Sequence, residues 1–592
     1  MKKYSMLAGR MILVSILVFG AFDIARAQVK QAKPPKAEYK VRVEKDLMVP
    51  MRDGVKLATD IFYPIGLDKA PVILVRTPYG KNMGMIGGKQ NFAKVMAGRG
   101  YIVINQDVRG RYNSQGDFYP FLRDGDDGQD MIAWIKSQKW YGGKLGTYGA
   151  SYLGTTQWFE SPGQEISAMH LTVTSPNMKE VLYTNGELHL MTIYFWSVIT
   201  GEHKNNFKAA AVIGRINRAV KTLPLSKADD KAGWDVKYFN EALDSVKIME
   251  LYKGIDFSNK YKEVSAPAVF VAGWYDMFAG PQLADFIRLT TQGKGDAKKS
   301  ILVVGPWGHG PNGDGSVSYG ENSGQGDVVG AEHYLAWYDH WLKGKDNEVD
   351  KWPRVKIFVM GDNLWRDENE WPLARTKYTN FYLHSGGNAN TAKGDGRLSM
   401  DAPGDSESAD KFTYDPLKPV PTKGGNSLGL NLGAYNQVKI EQRKDVLCYT
   451  SAPLEKDLEV TGPVRAVLFA ASDAKDTDFT VKLVDLYPDG RAINIQDGVV
   501  RAMYRANDPL HPTPLVPGAV EKYDLDLWAT SNVFKAGHRI RVEVSSSNFP
   551  RFNRNLNTGE PVPDAVKSVV AHQTIYHDAD RASYIILPVI PR

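Results

Sequence analysis

The chain has 592 residues, of which 43% are hydrophobic and 24% charged, with a formal net charge of +6. That length implies more than one domain, and the mixture is one that can bury large cores. A small net charge without a basic run gives no electrostatic reason to bind nucleic acid, and the single cysteine, Cys448, excludes an intrachain disulfide.

The N-terminus reads as a targeting segment. Lys2, Lys3 and Arg10 flank an apolar stretch over residues 11–22, and Ala25-Arg26-Ala27 is a small-x-small cleavage site. Residues 1–27 are therefore expected to be a signal peptide, with the mature chain starting at Gln28 in the periplasm or outside the cell. The apolar stretch is shorter than the roughly 20 residues a membrane span needs. No second apolar span follows, so no membrane span is expected after cleavage. Residues 28–40 are polar and Pro-containing, and read as a linker or docking arm.

From residue 39 the pattern becomes strand-like. Met51-Arg52-Asp53-Gly54 is a turn that joins strands over 39–49 and 55–63 into an antiparallel hairpin. Strands at 71–76 and 101–106 then alternate with helices at 88–99 and 126–138. The second helix carries the apolar stripe Met131, Ile132, Trp134 and Ile135. Such alternation argues for a mostly parallel sheet covered on both faces.

The stretch Gly146-Thr-Tyr-Gly149-Ala-Ser151-Tyr152-Leu153-Gly154 reads as a strand that ends abruptly, turns on a serine and enters a helix. A serine hydroxyl is a poor nucleophile unless a base takes its proton and a tight turn keeps its oxygen exposed. The spacing here is G-x-S-Y-x-G, because Leu153 fills the last place of the commoner G-x-S-x-G. A strand follows at 168–174. Between 177 and 261 the alternation stops, and the segment becomes helix-like and aromatic, with Tyr183, Tyr194, Phe195 and Trp196. An insertion at this point of the sheet is expected to lie over the site as a cap that excludes water and shapes a pocket.

Two short apolar runs follow, 266–276 ending in Asp276 and 299–309 ending in His309. Ser151, Asp276 and His309 thus each stand just past the C-terminal end of a strand, the edge at which open α/β sheets build their sites. The chain order Ser, Asp, His is that of α/β-hydrolases. These three residues are the expected nucleophile, orienting acid and base.

After His309 comes a Gly-rich loop over 310–330, and an amphipathic helix at 331–342 closes the first domain at 343–347. His333 and His340 lie seven apart on that helix with no third ligand near, and read as ordinary helix residues rather than a metal site. No metal or organic cofactor is expected. From Pro353 onward the character is all-β. Short runs at 355–360, 378–383, 464–471, 479–486 and 538–545 are separated by turns, with Pro488-Asp489-Gly490 as a hairpin turn. They point to a β-sandwich of the jelly-roll kind. The expected fold class is α/β. An α/β-hydrolase core in two parts (41–176 and 262–350) is interrupted by a helical cap (177–261) and followed by an all-β jelly-roll-like domain (351–592). That domain is expected to support the core and gate substrate, or to bind sugar.

Five motifs point further. They are Arg76-Thr-Pro-Tyr79-Gly-Lys81, Asp107-Val-Arg-Gly-Arg111 with Ser114-Gln-Gly-Asp117, Gly149-Ala-Ser-Tyr-Leu-Gly154, Gly273-Trp-Tyr-Asp276 and Gly305-Pro-Trp-Gly-His309. With Trp341-Leu-Lys-Gly344 and Gly537-His-Arg-Ile-Arg-Val-Glu543, the chain resembles the hydrolase family that includes cocaine esterase, glutaryl-cephalosporanate acylase, α-amino-acid ester hydrolase and X-prolyl dipeptidyl-peptidase. The resemblance covers essentially the whole mature chain. It implies the same core, cap and jelly roll, and it implies an oxyanion hole made of the Tyr79 hydroxyl and the backbone N–H of Tyr152. Arg109 and Asp117 read as structural residues of the loop beside the site. The resemblance also suggests self-association into a homo-oligomer, with the arm at 28–40 as its candidate contact.

One departure matters. Family members that act on α-amino acyl groups carry two acids just past the triad aspartate, where this chain has Met277-Phe278-Ala279. An ammonium left there without a counter-charge would be costly. Glu180 and Glu187 in the cap are the candidates to compensate. Trp158, Trp274 and Phe278 are candidates for an apolar acyl pocket. The expected function is an exported serine hydrolase that cleaves an ester or amide acyl bond of a small ester, amide or short-peptide substrate through an acyl-enzyme, as acyl esterase or acylase. The rivals are an X-prolyl dipeptidyl-peptidase and, in another class, a non-catalytic glycan-binding protein.

Overall fold

The computed structural model describes residues 35–82, 92–201, 215–233, 235–310, 315–428, 432–506, 508 and 510–592. The expected signal peptide and residues 28–34 of the arm lie outside them. The described end of the arm is not a free linker. Glu38 and Tyr39 donate their backbone N–H groups to Gly98, and Arg99 donates to the Lys36 carbonyl at 2.9 Å and pairs with Glu38.

The first sheet is built from β1 (Val41–Pro50), β2 (Lys56–Pro64), β3 (Ala70–Thr77), β4 (Ile102–Asp107), β5 (Tyr141–Ala150), β6 (Ala168–Thr172), β7 (Ala268–Gly273), β8 (Ile301–Gly305), β9 (Val355–Val359) and β10 (Leu364–Glu368). Its order is β1-β2-β4-β3-β5-β6-β7-β8-β9-β10. The stretch from β4 through β9 is parallel, and antiparallel strands flank it at both edges. Strands β4, β7 and β8 are buried along their whole length, which explains their unbroken apolar runs. Helices Phe92–Ala97, Asp124–Ser137, Tyr152–Glu160, Ala279–Gln292 and Ala331–Lys343 supply the cover.

The sheet runs past the expected domain boundary. Residues 355–360 were expected to open the β domain, yet Val355 pairs in parallel register with Leu302 of β8, and β10 folds back antiparallel on β9. Val355, Ile357, Phe358 and Val359 are all buried, so the run serves as an inner strand of the first sheet. An apolar run does not say which neighbour it will pair with, and β9 and β10 therefore extend the first sheet past residue 350.

The cap between β6 and β7 contains helices Met178–Leu182, Leu190–Thr200, Ala228–Ala232, Lys237–Ala242 and Ser245–Leu251, with a small hairpin formed by Tyr183–Thr184 and Glu187–Leu188. The last part of the chain is a sheet of eleven strands among the described residues, antiparallel apart from one bridge between Arg397 and Thr450. Its long strand Leu458–Ser472 pairs with Glu521–Phe534, Ala571–Tyr576 and Tyr584–Ile590. A separate apolar core, with Leu468, Leu483, Leu525 and Val542 at its centre, holds this domain together. The two domains interlock, since Met360 just past β9 exchanges backbone hydrogen bonds with Ser531 and Val533.

Candidate active site

Strands β3, β5, β7 and β8 end at one edge of the sheet, and the loop after each delivers one side chain to a common point. After β5 the chain turns on Ser151, whose φ of 58° and ψ of −127° are strained for a residue with a Cβ. The turn closes only because its neighbours are small. A Cβ on Gly149 would lie 2.4 Å from the Leu153 Cβ, and one on Gly154 would lie 2.4 Å from the Thr174 methyl. The Ser151 N–H is held by the Thr172 carbonyl, and the Ser151 carbonyl accepts from Gly154, Thr155 and the Thr174 hydroxyl. These bonds fix the backbone and leave the side-chain oxygen to face the site.

His309 stands between the other two residues. Its Nε2 lies 3.0 Å from Ser151 Oγ, and its Nδ1 lies 2.6 Å from Asp276 Oδ2. With Nδ1–H donating to the carboxylate, Nε2 is free to accept the serine proton. Asp276 is fully buried, and its other oxygen accepts the Phe278 N–H at 2.8 Å. The loops bearing Asp276 and His309 are stitched together by Tyr275 N–H to Trp307 O and Trp274 N–H to Gly305 O. The β domain also reaches in. The Asn426 side-chain amide donates to the carbonyls of Trp274 and Asp276, each at 3.0 Å, and Gln496 donates to the Trp274 carbonyl at 2.9 Å.

Tyr79 follows β3. Its hydroxyl oxygen accepts the Trp196 indole N–H at 2.9 Å, and the hydroxyl also interacts with Ser151. Burial pushes the phenol above its ordinary range, so it stays protonated and able to donate. Tyr152 has its side chain directed away from this point: its hydroxyl donates to Asp124 at 2.5 Å and accepts the Phe121 N–H. That anchor fixes the first turn of helix Tyr152–Glu160.

Beside Ser151 opens a narrow cleft. Phe121, Trp196, Tyr252, Met277, Phe278 and Leu428 are among its walls, and no described residue lining it is charged. Of the three expected pocket aromatics, Phe278 lines this cleft. Trp158 and Trp274 do not. Trp158 is fully buried among Phe257, Tyr261 and Phe270, and Trp274 is fully buried against Trp371 with its indole donating to the Phe358 carbonyl. Trp158, on helix Tyr152–Glu160, and Trp274, just past β7, both turn into the core. The cap acids are engaged elsewhere as well. Glu180 lies 3.9 Å from Arg288, and Glu187 is buried 2.5 Å from Arg501 of the β domain. Arg109 pairs with Asp53 and Asp127, as befits a loop brace. His333 is half-buried and stacked on Trp352, and desolvation pushes its pKa down to about 4.

Sequence reasoning missed Trp196, Leu428, Asn426 and Gln496 as parts of this site. Trp196 lay within the aromatic segment already noted, and helix periodicity would have placed it one turn from Thr192, another cleft residue. Leu428, Asn426 and Gln496 come from the β domain and carry no local signal.

Comparison with known proteins agrees with this architecture. Residues 53–311 match the model of the X-Pro dipeptidyl-peptidase (S15) family, and residues 347–586 match that of the X-Pro dipeptidyl-peptidase C-terminal non-catalytic domain. The second match takes in β9 and β10, which pair with the first sheet. Cocaine esterase of Rhodococcus sp. (strain MB1 Bresler) is 38% identical over 584 residues, covering 93% of this chain and 99% of the relative. Among solved structures, an aminopeptidase from the marine sediment archaeon Thaumarchaeota archaeon superposes with a TM-score of 0.73 at 23% identity, covering 96% of this chain and 99% of its own. An α-amino acid ester hydrolase does so with a TM-score of 0.72 at 24% identity, with the same coverage. These two likenesses speak to the fold.

Proposed function

The chain belongs to the X-Pro dipeptidyl-peptidase (S15) family, and on that premise we propose that it is an exported serine hydrolase that cleaves an ester or amide bond of a small substrate with an apolar acyl group. The observation that carries this reading is the line Ser151–His309–Asp276 opening on a cleft whose described walls hold no charge.

In this mechanism His309 Nε2 takes the Ser151 proton as Oγ attacks the acyl carbonyl. Asp276 keeps the proton on Nδ1 and stabilises the imidazolium that forms. The oxyanion of the tetrahedral intermediate is met by the Tyr79 hydroxyl and the Tyr152 N–H. His309 then gives its proton to the departing oxygen or nitrogen. A water deprotonated by the same ring attacks the acyl-serine ester, and the acid leaves as Ser151 regains its proton.

The peptidase reading needs a carboxylate beside the cleft to receive a peptide N-terminus, because an uncompensated ammonium in an apolar site is costly. Among the described residues the acids near the cleft have partners: Glu180 lies 3.9 Å from Arg288, Glu187 pairs with Arg501, and Glu241 accepts from the Tyr119 hydroxyl and pairs with Lys247. The acyl hydrolase is therefore preferred. Membership of a hydrolase family and the esterase relative weigh against a glycan-binding protein without activity.

A hydrolysis panel tests the proposal, with Ser151→Ala as control. Turnover of p-nitrophenyl esters of apolar acids, and little of glutaryl amides, amino-acid esters or Gly-Pro-p-nitroanilide, is the expected outcome. Strong cleavage of Gly-Pro-p-nitroanilide would instead make the peptidase reading correct. Export rests on residues 1–27, and N-terminal sequencing of the protein from a periplasmic or culture fraction should start at Gln28. No helix among the described residues is long and apolar enough to cross a membrane. Self-association through the arm remains part of the proposal, and a monomer in light scattering at micromolar concentration would remove it.

A further inference from the structure

Arg111 belongs to the Asp107-Val-Arg-Gly-Arg111 motif and touches none of the three residues at the centre of the site. It is 1% exposed. Its Nε donates to the Pro78 carbonyl at 2.8 Å, and its Nη1 donates to the Thr200 carbonyl at 2.7 Å. Pro78 is the residue before Tyr79. Thr200 ends the helix Leu190–Thr200, which carries Trp196. Trp196 in turn donates to the Tyr79 hydroxyl. The contacts therefore close a loop from Arg111 through Pro78 and Tyr79 to Trp196, along the cap helix to Thr200, and back to Arg111.

We infer that Arg111 is a positioning residue for the oxyanion site, holding the loop of Tyr79 and the cap helix of Trp196 in one fixed relation. The inference rests on the hydrolase reading above. A guanidinium suits the task because its donors leave one plane at fixed angles, so two carbonyls bound to it cannot shift independently. The plane is itself held over the Phe118 ring at 5.0 Å, and Phe118 packs against Tyr152 and Trp196. Arg111 also acts at longer range. Its positive charge favours negative charge at the Tyr79 oxygen, opposing part of the effect of burial. In a dry site such a fixed charge helps an oxyanion forming next to Tyr79 without having to reorganise.

The test is a double-mutant cycle on the full chain with p-nitrophenyl butyrate, reading kcat, KM and melting temperature for the wild type, Arg111→Met, Arg111→Lys, Tyr79→Phe and both Arg111 variants combined with Tyr79→Phe. Arg111→Met is expected to lower kcat by about 10- to 100-fold, the scale of a misplaced catalytic group, with KM within about threefold. In the Tyr79→Phe background the same change should cost less than about threefold, because the group it positions is already gone. Arg111→Lys should recover part of kcat, since the charge and one hydrogen bond return. Losses that simply multiply, a change confined to KM, or a lysine no better than methionine would overturn the inference. If Arg111→Met fails to fold, the Arg111→Lys arm of the cycle decides by the same criterion. A wild type that neither turns over any acyl ester nor reacts with a fluorophosphonate would overturn the hydrolase reading and this inference with it. An active wild type with multiplicative losses overturns Arg111 alone.

Discussion

The indole N–H of Trp196 meets the Tyr79 hydroxyl oxygen at 2.9 Å, so a cap residue directs where a core residue points its hydrogen. With one lone pair engaged by the indole, the Tyr79 O–H stays free to donate, and in the proposed reaction the oxyanion formed at Ser151 is its acceptor. Trp196→Phe keeps the aromatic wall of the cleft and removes only that donor. It should lower kcat about tenfold, against the roughly 10²- to 10³-fold expected for Tyr79→Phe, which removes an oxyanion donor outright. Steady-state kinetics on one acyl ester compares the two directly. An unchanged kcat in Trp196→Phe would show that Tyr79 orients itself.

Ser151→Ala should abolish fluorophosphonate labelling and lower kcat by about 10⁴-fold or more, as losing the nucleophile of such a relay does. Alanine carries the same Cβ and so keeps the strain of the 58° φ unchanged, and the variant should melt close to the wild type. Labelling that survives the substitution would place the nucleophile elsewhere.

Asn426 bridges the β domain to the turn that presents Asp276. Its amide donates to two carbonyls, those of Trp274 and Asp276, and is fully buried. Asn426→Ala leaves both carbonyls without that partner and should cost about 1–3 kcal/mol of stability. It should also lower kcat more than it raises KM, since the acid turn loosens while the cleft wall stays. Denaturant titration together with kinetics checks both parts. A destabilised variant with full kcat would show that the acid loop holds itself.

Asp285 is fully buried, and burial pushes its carboxyl pKa up to about 7 although it accepts from the Tyr261 hydroxyl and lies 3.7 Å from Arg288. The sign follows from proton uptake. Between about pH 4 and pH 7 the folded chain binds this proton and the unfolded chain does not, so the contribution to stability is present below pH 4 and is lost as the pH rises through 7. Asp285→Asn keeps an acceptor for Tyr261 and carries no charge. It should stabilise the chain by about 4 kcal/mol at pH 8 and by only about 1–2 kcal/mol at pH 5. Unfolding midpoints at the two pH values measure the difference, and an equal effect at both would show that Asp285 is ionised throughout.

Much of this protein could be read in its residues because the relevant information is local. Ser151, Asp276 and His309 each follow a short buried run, and the end of a parallel strand is a place that sequence pattern identifies. The alternation of strands and helices likewise announced the sheet. The pocket was less legible. Trp158, Trp274 and Phe278 all lie close in sequence to the site, yet only Phe278 faces the cleft. Nearness along the chain does not set the direction of a side chain once helix and sheet have packed.

What the sequence determined by itself was the order of the elements and the identity of the groups at their ends, since these depend on short-range periodicity and on the few residue types that turns accept. Tertiary structure alone decided the partners. Val355–Val359 joined the first sheet rather than the second because an apolar run pairs with whichever buried edge is offered. Trp196 found Tyr79 across 117 residues, and Asn426 found Asp276 across 150. Those distances are closed by the packing of the cap and the β domain onto the core, and no local pattern encodes where two separately folded surfaces will meet.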